Sequence, residues 1–146
     1  GEQQCEYHAQ KFSHLPLKAV RNENGEWCKV SLSLPGRNLE AKIWRIDVGR
    51  VPLYLLDTDV ESNSEEDRFI SSRLYGGDSE NRLKQEILLG MGGVKLIKEL
   101  SLPVSLYHNN EGHAAFSSLE RMKQYLQTQK LLLLQRLKLL IQMQLP

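Results

Sequence analysis

His108-Asn109-Asn110-Glu111-Gly112-His113 is the densest group of chemistry-bearing side chains in the sequence. Asn, Glu and neutral His offer hydrogen-bond donors and acceptors in varied directions, which suits the hydroxyls of a polyol such as a sugar. Metal binding is the weaker reading. Helical zinc motifs set two His at i and i+4 on one face, whereas His108 and His113 are five apart with Gly112 between them. No metal site is expected. A structural turn, with Glu111 favoured near a helix N-terminus by the dipole, accounts for the same residues. On these residues alone the turn is the stronger reading.

Three other patterns bear on chemistry. Gly76-Gly77-Asp78 precedes a helix start, where free amides and the dipole favour anions, but no Gly-Lys-Ser/Thr follows as in a Walker loop. Gly90-Met91-Gly92-Gly93 lies inside a helical pattern, not at a strand-to-helix turn, so it is no dinucleotide fingerprint. Each glycine there costs about 1 kcal/mol relative to alanine, and close backbone packing is the expected reason. Asp57 and Asp59 end an apolar run. Neighbours along a strand alternate direction, so a capped loop is a safer reading than a glycosidase pair. Whether Asp57 caps that turn or reaches a ligand stays open, since both occur after buried strands.

The elements that must position these residues are legible by period. Cys28–Leu34 and Leu39–Val48 alternate polar with apolar and read as a β-hairpin near the N-terminus, with Pro35-Gly36-Arg37-Asn38 as its loop. Val51–Leu56 is a short continuous apolar run, expected to be a strand buried on both faces. Glu61–Asp67 is an acidic loop, and Arg68–Tyr75 a short helix. Asp78 or Ser79 is the expected N-cap of a helix from about Glu80 to Leu100, with Leu83, Ile87, Met91, Val94 and Ile97 as its buried stripe. Pro103–Tyr107 reads as a second buried strand, and helix resumes near His113 through Leu126. Strand, helix, strand, helix predicts an α/β fold with a parallel sheet.

Composition limits the function classes. The net charge is +1 over 146 residues, with 40% hydrophobic and 25% charged residues, ordinary values for a globular protein. Acidic residues stop at Glu120 while Arg121, Lys123, Lys130, Arg136 and Lys138 continue. A basic tail is not a basic protein, so nucleic acid is not an expected partner. Cys5 and Cys28 read as free cytosolic thiols, which predicts a cytoplasmic protein. No run approaches the roughly 18 apolar residues of a membrane span, so no membrane is expected either. The N-terminus lacks an initiator Met and any targeting pattern, which suggests a chain cut from something longer.

As an ordered set from about Gly1 to Tyr125, the motifs resemble the N-terminal domain of the α-glucan (glycogen/starch/maltodextrin) phosphorylases, in their shorter bacterial and archaeal branch. Val51–Asp59 looks like that branch's strand, and Arg73–Asp78 resembles its active-site gating loop. Arg82-Leu83-Lys84-Gln85-Glu86 is similar to the helix start found across the family. His108–Phe116 matches its sugar-site loop, with Asn109 standing where Met or Ala is frequent. The resemblance implies a partial Rossmann-like domain of a two-domain, GT-B type glycosyltransferase. It implies reversible phosphorolysis of an α-1,4-glucan or maltodextrin by phosphate to glucose 1-phosphate. The full enzyme would belong to a family with allosteric members and could be oligomeric. Glu111 and His113 would line the glucose site with Asn110 in support. Asp78, Gly76 and Gly77 would belong to the mobile loop at the cleft mouth. Pyridoxal phosphate is the family's cofactor, but its lysine belongs to a C-terminal domain, so the resemblance implies no cofactor, no complete catalytic set and no phosphorolysis for this fragment alone.

The resemblance stops after Tyr125. Residues 126–146 are Leu/Gln-rich, with no acid and no glycine. One reading is an amphipathic helix with Leu133, Leu137 and Leu140 on a seam. The favoured one is translation in a shifted frame, because codons for Leu133–Leu137 read in another frame can give Phe-Ala-Glu-Ala, as in a helix the family often carries here. Two alternatives to a phosphorylase fragment remain: a piece of another GT-B glycosyltransferase, and a non-catalytic carbohydrate-binding or interaction module.

Overall fold

A computed structural model describes residues 15–72 and 78–143. Its spine is a long strand, β3 (Arg37–Val48). One edge of β3 carries β2 (Lys29–Leu34), from Leu34↔Arg37 to Lys29↔Lys42, and then the two-residue β1 (Lys18–Ala19), which meets Arg45 and Trp44. The other edge carries β4 (Val51–Asp57), from Val48↔Val51 to Lys42↔Asp57. Every pairing is antiparallel. The chain between β2 and β3 is only Pro35-Gly36, shorter than the four-residue loop expected. Proline fixes φ at the first turn position, and Gly36 supplies φ +76° at the second.

The period-2 alternation of β2 and β3 puts Val30, Leu32, Leu39, Ala41 and Ile43 on one face, all buried. That face packs on Ile70, Leu88 and Leu96 to form the core. Two polar clamps close its rim. Asn63 accepts from the Glu40 amide at 2.9 Å and donates to the carbonyls of Glu40 and Thr58 at 2.7 and 2.8 Å. Arg37 donates to both oxygens of buried Asp67, at 2.6 and 2.8 Å. Asp67 lies in α1 (Glu65–Arg68), a single turn capped by Ser64 and set N-terminal to the helix expected at 68–75.

The β4 expectation needs correction. Val51, Leu53 and Leu55 lie on the outer face, opposite Val48, Ile46 and Trp44, and are 62, 48 and 37% exposed. The run is a strand, but it forms an edge with one face on the core. A continuous apolar run does not distinguish that from a strand covered on both sides.

The predicted helix over 80–100 forms as α2 (Ser79–Ile87), a π-helical turn at Leu88–Gly92, and α3 (Gly93–Glu99). The glycines sit in the π turn, where a Cβ on Gly92 would lie 2.8 Å from Leu56 Cδ1. Close packing is therefore their role at Gly90 and Gly92, whereas Gly93 faces open space. Pro103–Tyr107 is not a strand. It runs without ladder partners, and Leu106 is 80% exposed. A strand needs a neighbour for its amides, and none stands beside this segment among the described residues. The expected parallel sheet is consequently absent from them, and the fold there is mixed α/β around a small antiparallel sheet. A 3-10 turn (Gly112–Ala114) leads into α4 (Phe116–Met143), which continues past Leu126. No described helix is long and apolar enough to cross a membrane.

Candidate functional site

A broad groove of about 1530 Å³ runs between the end of β4, helix α2 with its π turn, and the segment 107–114. Its helix wall follows from the N-cap. The Asp78 carboxylate accepts from the Asn81 amide at 2.9 Å, closing the first turn of α2. From there the i,i+4 spacing brings Arg82 and Glu86 to one side, with Arg82 Nε 3.2 Å from Glu86 Oε1.

Against this helix lies a loop fixed at two points. Asn109 accepts from the Ser117 hydroxyl at 3.1 Å, and the Arg121 guanidinium lies 3.9 Å from the centre of the Tyr107 ring. Both anchors come from α4, whose close approach depends on the bare backbone of Gly90. Within the loop, Glu111 takes φ +52°, a left-handed conformation unusual for a glutamate. Its side chain is 75% exposed. The next residues turn back, and His113 comes between two carboxylates: Nδ1 is 3.5 Å from Glu86 Oε1 and Nε2 is 3.8 Å from Glu111 Oε2.

The structure therefore brings Asn110 and His113 together on the groove, with Glu111 beside His113 at its edge. Asp78 is not among the groove-lining residues; its carboxylate is engaged as a helix cap. Gly76 and Gly77 lie outside the described residues. Arg82 and Glu86 were legible only as part of a helix start, and their i,i+4 pairing was the available signal for a charged wall.

At the other end of the groove, Asp57 is buried and serves the turn. It accepts from the Asp59 amide at 2.9 Å and from Trp44 Nε1 at 3.0 Å, and it pairs with Lys42 at 3.2 Å. Asp59 pairs with Arg68 at 2.6 Å. These carboxylates are capped and paired, the first of the two readings left open by the sequence.

The clearest electrostatic perturbations lie off the groove. The Arg37 hydrogen bonds hold the Asp67 carboxyl below the usual carboxylate range. Hydrogen bonds to Glu66 and Glu80 raise Lys84. Burial pushes up the Cys28 thiol, a free cysteine, so it is a packing residue and not a nucleophile. Among the described residues no three His, Cys, Asp or Glu side chains gather as a metal site would need. No lysine lines the groove, so its described residues offer no amine to a pyridoxal aldehyde.

What the arrangement can do is bind. It offers an imidazole, an amide and a carboxylate beside half-exposed apolar surface from Leu89 and Phe69. Over 117 residues, 75% of this chain, the sequence is 46% identical to a glycogen phosphorylase of Mycobacterium tuberculosis, of which that stretch is 13%. It is 41% identical over 113 residues to a maltodextrin phosphorylase of Thermococcus litoralis, covering 77% of this chain and 14% of that one. A glycogen phosphorylase of Aquifex aeolicus is 39% identical over 102 residues, 70% of this chain and 15% of its own length. The chain thus spans about a seventh of the curated relatives it matches. No protein-family profile matches it. No solved structure matches it.

Proposed function

This chain belongs to the glycogen and maltodextrin phosphorylase family as a fragment-length member, and on that premise we propose that it supplies the sugar-side loops of an α-glucan phosphorylase. The full enzyme would exchange a terminal α-1,4-linked glucosyl unit between glucan and phosphate, giving glucose 1-phosphate. Asn110, Glu111 and His113 would contact sugar hydroxyls, and the segment 76–78 would border the cleft mouth. The observation that carries this reading is the fixed loop 107–113, which sets His113 and Asn110 on the groove against the cap-initiated helix α2.

The rest of the machinery belongs to chain outside these residues. Pro103–Tyr107 would become an inner strand of a Rossmann-like sheet only with a neighbour contributed from there, since parallel strands are built with both flanks occupied. Pyridoxal phosphate would supply a phosphate as acid/base partner to the substrate phosphate. The groove's residues do not fit it, having no lysine, and no step of this reading passes through it. The full enzyme could be oligomeric. A cytoplasmic setting goes with this reading.

Calorimetric titration of the 146-residue chain with maltoheptaose tests the proposal. Weak binding is expected, reduced at least about tenfold by His113→Ala, the loss of one well-made polar contact or more. An absence of heat with maltoheptaose would overturn the sugar-side assignment. Glucose 1-phosphate should not form from maltodextrin and phosphate with this chain alone, and its appearance would overturn the division of labour. Binding that is unaffected by His113→Ala would favour a non-catalytic carbohydrate module using another surface.

A further inference from the structure

β4 has a strand on one edge only. Ile43 of β3 directs its backbone to the far side: its amide donates to the Cys28 carbonyl at 3.0 Å, and its carbonyl accepts from the Val20 amide at 3.1 Å. Ile43 stands opposite Leu56, so the two form a non-hydrogen-bonded pair of the β3–β4 ladder. The N–H and C=O of Leu56 therefore point away from β3. The same holds at every second residue, for Tyr54 opposite Arg45 and Pro52 opposite Asp47. No strand meets these outward groups among the described residues. Tyr54 and Leu56 also line the groove, whose volume of about 1530 Å³ leaves room for an extended chain.

Natural sheets protect such an edge with charges, bulges or proline. Here Pro52 closes only the end next to the β3–β4 turn, and Val51–Leu56 carries no charged side chain. The edge beyond Pro52 is open and firmly held. Leu56 is wedged against Gly92, and Asp57 is tied to Trp44 and Lys42. We propose that the Tyr54–Leu56 edge of β4 is a docking site for an extended segment of the phosphorylase chain lying outside these residues, added as a further strand of this sheet. Main-chain bonds to Tyr54 and Leu56 would hold the segment. Its alternate apolar side chains would extend the outer row of Leu53 and Leu55, which are 48 and 37% exposed. Two observations choose this occupant. The chain spans about a seventh of its relatives, whose remaining length is available as a partner. A second copy fits worse, because β4 paired with itself would set a proline against the edge twice and lose a ladder bond each time. The identity of the segment rests on the phosphorylase reading given above, whereas the open edge does not.

Amide-resolved hydrogen exchange tests it in two arms. In the 146-residue chain alone, Tyr54 and Leu56 should exchange at least about tenfold faster than Leu53 and Leu55, whose amides bond β3. The second arm co-expresses the chain with the Mycobacterium tuberculosis glycogen phosphorylase from which the matching 117 residues are deleted. The two should co-purify, and exchange at Tyr54 and Leu56 should slow at least about tenfold in the complex. Tyr54→Pro removes an outward N–H and no bond to β3, as Pro52 already does, and should weaken capture by about tenfold. Slow exchange of Tyr54 and Leu56 in the chain alone overturns the proposal, because this chain or a second copy would already cover the edge. So does a remainder that fails to co-purify. A complex whose Tyr54 and Leu56 amides still exchange fast also overturns it, and would put the contact elsewhere, such as on the leucines of α4. If Tyr54→Pro does not fold, the exchange contrast in the wild-type complex still decides. Maltoheptaose titrated into the chain alone reads the sugar-side assignment separately. Protected edge amides in the complex without sugar binding would leave the docking site standing and remove that assignment.

Discussion

Gly90 abuts Phe116: a Cβ built on Gly90 would lie 2.8 Å from Phe116 Cβ and 2.8 Å from the Ser117 amide nitrogen. This contact seats the first turn of α4 on the π turn after α2. Because Ser117 bonds Asn109, it also sets where the loop 107–113 stands. Gly90→Ala should therefore destabilise the chain by up to about 2 kcal/mol. The gain in helix propensity of about 1 kcal/mol is outweighed by an overpacking cost of about 1–3 kcal/mol. Gly93→Ala, which meets nothing within 4 Å, should instead stabilise by about 0.4–1 kcal/mol. Urea unfolding of the two variants checks the opposite signs; equal signs would mean that the approach to Phe116 is not a constraint.

Asp67 makes the fold acid-sensitive at one identifiable place. Its folded carboxyl is held below the ordinary range, first by the Arg37 hydrogen bonds. A depressed folded value means that the contribution is fully present above the unfolded value of about 3.9. It drains as pH falls through the folded value. Asp67→Asn should remove about 1–3 kcal/mol at neutral pH and flatten the dependence of stability on pH below about 4. Thermal unfolding of both proteins across that range is the measurement. A variant with the same acid slope as wild type would show that other carboxylates dominate.

How much of this was legible in the sequence depends on how local each feature is. The alternation in Lys29–Leu34 and Arg37–Val48, the Asp78 cap and the packing role of Gly90 and Gly92 follow from residues close in sequence or from a single steric demand. Strand partnership does not. Val51–Leu56 is apolar whether it is an inner strand or an edge, and only its register against β3 shows Leu53 and Leu55 facing outward. Pro103–Tyr107 has a strand's composition, but composition supplies no hydrogen-bonding neighbour. At the site, Asn110, Glu111 and His113 were found as a run of polar types. Glu86 was not singled out, because its relation to His113 spans 27 positions and is made by the return of the chain onto α2.

Glu111 stores strain where the proposed sugar contacts are made. A φ of +52° with ψ near −159° is a conformation that glycine adopts without cost and glutamate does not. Sparsely populated backbone conformations cost about 1–3 kcal/mol. The contact with His113 at 3.8 Å, made by a side chain that is 75% exposed, offsets little of that. Glu111→Gly should therefore stabilise the chain by about 1 kcal/mol while weakening maltoheptaose binding. Paired unfolding and calorimetric titrations read the two effects independently. Loss of stability together with binding would mean that Glu111 holds the loop and is not strained by it.

Residues 126–143 test the origin of the tail. Leu126, Leu131, Leu132, Leu133, Leu134, Leu137 and Leu139 are all exposed on α4. Leu131 to Leu134 point around the whole helix, since four successive residues cover a full turn. A helix shaped by a partner would confine its leucines to one stripe. Leucines on every side fit residues that no packing surface selected, as a shifted reading frame would produce. The nucleotide sequence, read in the other two frames beyond the codon for Tyr125, should give a continuation of the phosphorylase family containing Phe-Ala-Glu-Ala. No such continuation in either frame refutes the reading. At the protein level, exposed apolar surface of this extent drives association. The full chain should sediment as oligomers or aggregates where a chain ending at Tyr125 sediments as a monomer, and a monomeric full chain at the same concentration would show that these leucines are not adhesive.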